Sequence, residues 1–123
     1  MEEKVLVIDD SEVALQVIRD DLEDGGFLVT LAHSSDEAQQ IINSADRPDV
    51  ILVDLMMPGM DGGAFCKMMK SKPETKDIPI ILVSMKEKSE IEPILKQIGA
   101  DGFLWKAHVS AVSLARIIEN LGS

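Results

Sequence analysis

Aromatic residues make up only 3% of this 123-residue chain, with one tryptophan, three phenylalanines and no tyrosine. A core built from it must therefore be aliphatic. Cysteine occurs once, at Cys66, which excludes an internal disulfide and points to a reducing compartment. Within its helical stretch this thiol reads as a buried structural group rather than a nucleophile. Basic residues are scarce, 12 Lys and Arg against 22 Asp and Glu. The resulting net charge of −10 disfavours direct binding to nucleic acid or to an anionic membrane surface. No apolar run approaches the roughly 20 residues of a membrane span. The start, MEEK and then four apolar residues, is too short for a signal peptide. A cytoplasmic protein is expected. Neither a repeat, a low-complexity segment nor a linker interrupts the chain, so one domain over 1–123 with no output domain is expected.

What is present is concentrated at the ends of four short apolar runs. Asp9 and Asp10 close VLVIDD, Asp54 closes VILVD, Ser84 closes IPIILVS, and Lys106 closes GFLWK. Buried parallel strands appear as continuous apolar runs, and ligands of such sheets bind at the carboxyl ends of the strands. Three carboxylates, a hydroxyl and an ammonium are thus expected on one rim, a combination suited to a divalent cation and a phosphoryl group.

The order of elements agrees. Strands are predicted at about 4–8 (β1), 27–32 (β2), 49–53 (β3), 79–83 (β4) and 102–105 (β5). Helices are predicted at about 11–24 (α1), 35–45 (α2), 62–71 (α3), 90–98 (α4) and 110–121 (α5). Ser11 is a candidate cap for α1, which Gly25-Gly26 stops. Ser34 with Glu37, and Ser89 with Glu92, read as capping boxes for α2 and α4. Pro58-Gly59 marks a turn, and Asp61 is a candidate cap for α3. The inner stripe of α4 is expected to be Ile91, Ile94, Leu95 and Ile98, with Gly99 closing the helix. That of α5 is expected to be Ala111, Leu114, Ala115, Ile118 and Leu121. Strict alternation of five strands and five helices gives an α/β fold, a doubly wound (βα)5 parallel sheet with helices on both faces.

Over its whole length the chain resembles the receiver (CheY-like) domain of two-component response regulators. The resemblance rests on Asp9-Asp10, on Asp54 with the following LMMPGMDG, on Ser84, on Lys106, and on GADGF with Phe103. Each is weak alone; the ordered set, each member at its own strand end, is specific. It implies the flavodoxin-like strand order 2-1-3-4-5. It makes Asp54 the phosphoacceptor, charged by a histidine kinase or a histidine phosphotransferase. Mg²⁺ would be held by Asp9, Asp10, Asp54 and the backbone carbonyl of Met56, while Lys106 and Ser84 hold the acyl phosphate. The protein would then be a signalling switch rather than an enzyme acting on other substrates. Ser84 and Phe103 would be switch residues, and an unknown downstream protein would dock on the α4-β5-α5 face. The alternative is a phosphorylation-independent pseudo-receiver that serves only as an interaction module. An aspartyl-phosphate phosphatase is disfavoured, because Leu55-Met56 stands where DxD would be needed.

Three positions depart from the family pattern. Ala107 follows the lysine where proline is usual, and the Lys106-Ala107 bond is expected to be trans, since a non-proline cis bond costs about 3–4 kcal/mol. Met85 follows the hydroxyl where a small residue is usual. Phe103 stands where many relatives carry tyrosine. Phe103 and Trp105 share one side of β5; either they form an exposed aromatic pair for a partner, or they pack beneath α4 and α5. His33 and His108 read as surface residues, and the methionines as packing or loop residues, since Mg²⁺ prefers oxygen donors.

Overall fold

A computed structural model describes residues 3–55 and 62–121. The strands are β1 (Lys4–Ile8), β2 (Leu28–Ala32), β3 (Val50–Asp54), β4 (Ile80–Ser84) and β5 (Gly102–Trp105). The helices are α1 (Glu12–Asp24), α2 (Ser35–Ile42), α3 (Gly62–Ser71), α4 (Lys88–Ile98) and α5 (Ala111–Leu121). The strands form one parallel sheet in the order β2-β1-β3-β4-β5.

Alternation along buried strands divides the core in two. Leu6, Ile8, Ile51, Val53, Ile80 and Leu82 pack with Ala38, Ile42, Phe65, Met69, Ile91 and Ile98 beneath α2, α3 and α4. Val5, Val7, Val50, Leu52, Ile81, Val83 and Leu104 face Leu15, Ile18, Leu22 and Leu114 of α1 and α5. Every residue of β3 and β4 is buried, so their backbone can end in polar groups only at the rim. Cys66 is fully buried. Burial pushes its thiol up to about 11, which leaves it protonated and unreactive at neutral pH.

The helix ends follow local chemistry, with three corrections. The Ser11 hydroxyl accepts from Ala14 N–H at 3.2 Å, and Ser34 accepts from Glu37 N–H at 3.2 Å. Gly26, at φ 94°, closes α1 with a bond from Phe27 N–H to the Leu22 carbonyl, the geometry of a Schellman stop. Gly25 serves differently: a β-carbon there would lie 2.1 Å from that of Ala111, so it lets α5 approach. The predicted Ser89–Glu92 capping box is not formed. Glu87 is the extended residue before α4, without a side-chain cap bond, so Ser89 lies inside the helix. Leu121 is exposed rather than inward; Ile117 joins Leu114 and Ile118 on the packed side. Helix α2 stops at Ile42, three residues short of the prediction, where Ser44 Oγ donates to the Ile41 carbonyl at 2.6 Å. A reciprocal cap opens α5: Ser113 N–H donates to Ser110 Oγ at 3.1 Å, and Ser110 N–H donates to Ser113 Oγ at 2.9 Å. Asp61 and the Pro58-Gly59 turn lie outside the described residues.

His33 is exposed, as expected, and brackets two elements. Its Nε2 meets Glu12 of α1, and its Nδ1 lies 3.1 Å from Glu37 of α2. Hydrogen bonds to Glu12 and then Glu37 raise His33 above 6.5, while His33 lowers both glutamates below 4.5. The histidine's share of stability is complete below 6.5 and is lost as pH rises through the raised folded value. The carboxylates' share is present above 4.5 and is lost as pH falls through their lowered values. His33→Ala should therefore lower the urea midpoint at about pH 6 and lower it less at about pH 9. A deficit that is the same at both values would disprove the bracket.

Candidate functional site

The predicted rim is assembled. Carboxylate oxygens of Asp9, Asp10 and Asp54 lie within 4.8 Å of one another. Asp9 and Asp10 follow β1 directly, Asp54 is the last residue of β3, and the parallel register sets β1 beside β3. Asp9 is 2% and Asp54 8% exposed, whereas Asp10 is exposed.

Two neighbours of Asp9 account for its burial. Ser11 N–H donates to Oδ1 at 2.9 Å, and the Lys106 ammonium lies 2.7 Å from Oδ2. The same ammonium is 3.1 Å from Asp54 Oδ2. Lys106 thus bridges the ends of β1 and β3 from the end of β5. Burial alone would push Lys106 down; hydrogen bonds to Asp9 and Asp54 outweigh it and hold the amine above its ordinary value. It is cationic throughout the neutral range. No peptide bond among the described residues is cis, so Lys106-Ala107 is trans. Lys106 opens a single 3₁₀ turn, Lys106–His108, and still reaches both carboxylates. The long lysine stem replaces the turn that a proline would shape.

Ser84 ends β4 and is 2% exposed. Its position in the register is one residue beyond Val83, the partner of Asp54. Its hydroxyl accepts from Lys86 N–H at 3.0 Å. The backbone carbonyl of Met56 lies outside the described residues.

The two β5 aromatics part company. Phe103 is half-buried and packs against the core beneath α3 and α4. Trp105 is 36% exposed; it lies at the rim rather than beneath a helix. Its indole N–H donates to the Met85 carbonyl at 2.9 Å, and its ring meets that of His108 edge-on, with centroids 4.9 Å apart. The indole therefore ties the residue after Ser84 to the residue before Lys106. Met85 itself is 67% exposed, so its thioether stands out from the rim.

One site residue escaped sequence reasoning. Gly62 opens α3 with its N–H 2.8 Å from the Leu55 carbonyl. A β-carbon there would lie 2.3 Å from the Asp54 carbonyl and 2.9 Å from Leu55 Cα. Glycine is needed so that α3 can start against the end of β3. The Gly62-Gly63 pair, just past Asp54, was the available signal.

The comparisons with known proteins agree with this geometry. The model of the response regulator receiver domain matches residues 5–119. The chain belongs to that family. Among solved structures, it is 31% identical to the chemotaxis response regulator CheY4 of Vibrio cholerae, covering 98% of both chains with a TM-score of 0.83. It is 30% identical to the signal receiver domain of a signal transduction histidine kinase from Syntrophus aciditrophicus, covering 97% of this chain and 89% of that one at a TM-score of 0.81. A Francisella response regulator receiver domain is 32% identical over 95% and 94% of the chains, at 0.79. The chain is thus a receiver domain of the two-component type, with the flavodoxin-like order of strands.

Removing the bridge isolates its worth. Lys106→Met leaves Asp9 buried beside Asp54 without its counter-charge and should cost about 2–3 kcal/mol of unfolding free energy, less than for a fully buried pair because the ammonium is partly exposed. In an Asp9→Asn background the same substitution should cost much less, as measured by urea unfolding of all four proteins. Equal costs in both backgrounds would show that Lys106 and Asp9 are not coupled.

Proposed function

We propose that this receiver domain is a phosphorylation-dependent switch that takes a phosphoryl group from a histidine kinase or histidine phosphotransferase onto Asp54. The observation that carries the reading is the Lys106 ammonium 3.1 Å from Asp54 Oδ2, beside a cluster of three carboxylates. A carboxylate attacks phosphorus only when the donor is positioned and its charge neutralised, and positioning and electrostatics supply nearly all of that catalysis.

The donor set fits Mg²⁺, a hard cation that is held by a few carboxylate oxygens and keeps several waters. When bound, Mg²⁺ neutralises charge on the transferring phosphoryl oxygens. Asp10 and Asp54 suit direct ligation, with the Met56 carbonyl as a further donor by family pattern. Asp9, both of whose oxygens are engaged by Ser11 and Lys106, suits contact through water. Lys106 pairs with the acyl phosphate, releasing Asp9 as it does so, and Ser84 donates its hydroxyl to a phosphoryl oxygen.

The new charge of about −1.5 to −2 draws Ser84 and Lys106 inward together, because the Trp105–Met85 bond links their strands. That movement bears on Phe103 and α4, and alters the α4-β5-α5 face on which a downstream protein docks. Trp105 supplies that face with a partly exposed aromatic anchor of the kind enriched at binding hot spots. The domain catalyses only its own phosphotransfer and dephosphorylation.

Incubation with phosphoramidate and Mg²⁺ should add one phosphoryl group by intact-mass measurement, and Asp54→Asn should abolish the addition. Undiminished labelling of that variant would remove Asp54 from its role, and a parent that takes no label would favour the phosphorylation-independent module. Asp10→Asn should lose the Mg²⁺-dependent change in Trp105 fluorescence, and a titration unchanged from the parent would exclude Asp10 as a ligand.

A further inference from the structure

A cavity of about 370 Å³ lies between α3 and α4, lined by Leu55, Gly63, Ala64, Lys67, Lys86, Ile94 and Ile98. It is separate from the carboxylate cluster. Its volume falls near the lower end of the range for small-molecule pockets, about 300–1,000 Å³. Its composition follows the same pattern, an apolar lining with a small number of polar groups.

The lining comes from four parts of the chain. Leu55 leaves β3, Gly63, Ala64 and Lys67 lie along one side of α3, Lys86 belongs to the segment between β4 and α4, and Ile94 and Ile98 come from α4. Gly63 contributes no side chain and Ala64 only a methyl group, so the two helices leave space between them that larger residues would fill. Buried apolar surface supplies affinity at about 25 cal/mol per Å² before the costs of association.

Charge selects the ligand. The chain carries a net charge of −10, yet among the described residues of this lining the two ionisable ones are both lysines. Neither lysine forms an ion pair among the described residues, in contrast to Lys70, which pairs with Asp101 at 2.6 Å. Two like charges beside an apolar cavity repel each other and are relieved by a shared anion. We propose that the α3–α4 cavity binds a small amphiphilic carboxylate, its hydrocarbon body against Leu55, Ala64, Ile94 and Ile98 and its carboxylate between Lys67 and Lys86. A protein segment is the less suitable occupant, since a docked helix needs a groove extending over several turns. The proposal does not depend on phosphorylation of Asp54 and is tested without a phosphodonor.

The probe is octanoate, added to the full chain without divalent cation and followed by backbone amide NMR and calorimetry. Saturable shifts confined to Leu55, Gly63, Ala64, Lys67, Lys86, Ile94 and Ile98 are expected. Lys67→Gln and Lys86→Gln should each weaken binding about tenfold, the loss of roughly 1.4 kcal/mol. Octanol, with the same chain and no charge, should bind more weakly by a similar factor. Ala64→Met, which fills the cavity from an exposed helical position, should abolish binding while leaving the melting temperature close to that of the parent. Non-saturable or scattered shifts, unchanged affinity in both lysine variants, or equal binding of octanol would each overturn the proposal.

Discussion

The Lys106 ammonium, held between Asp9 and Asp54, is the interaction on which the rim of this domain depends. Three carboxylates whose oxygens lie within 4.8 Å repel by about 3–4 kcal/mol per charged pair at an effective dielectric constant near 20. Two of them are buried, so solvent offers limited relief. A single cation supplied from β5 offsets much of that repulsion and pins three strand ends to each other. Under the function proposed above, the same cation would meet a phosphoryl group on Asp54.

Around that bridge the rim is built as a linked set. Asp54 needs α3 to begin close by, and Gly62 makes the approach possible by lacking a β-carbon. Ser84 and Lys106 stand on adjacent strands, and Trp105 joins them through the Met85 carbonyl. A change in charge at Asp54 therefore acts on a bonded unit and not on independent side chains. Energetically, a network of this kind is worth more when complete than its separate bonds suggest. The apolar cavity between α3 and α4 lies beside the unit, with Leu55 and Lys86 one and two residues from Asp54 and Ser84.

Much of this was legible beforehand, and the exceptions share a cause. Short Val, Ile and Leu runs bounded by polar residues and turns mark strands, so the alternation of strands and helices followed from pattern; that β3 and β4 are wholly buried while the edge strands β2 and β5 are only partly so did not. The stripe of α4 was correct for the same reason, as Ile91 and Ile98 repeat at helical spacing. Ser89 with Glu92 satisfied the pattern of a capping box, but the chain enters its helix at Lys88 because Glu87 is already extended, and spacing alone does not see backbone dihedrals. Leu121 continues the apolar period of α5, yet it is left 38% exposed. Periodicity marks a face; coverage depends on what lies opposite.

The sequence by itself determined the fold class, the family and the identity of the charged groups at the strand ends. Each of these is set by residue type in chain order: aliphatic runs, their punctuation by Asp, Ser and Lys, and the helical periods between. Only the tertiary structure decided how the groups pair. That one ammonium serves both Asp9 and Asp54, that Trp105 turns to the rim while Phe103 turns to the core, and that α3 and α4 leave a lysine-flanked cavity are all relations between residues tens of positions apart. Such relations arise from the register of a parallel sheet and the separation of its helices, and no local pattern encodes either distance.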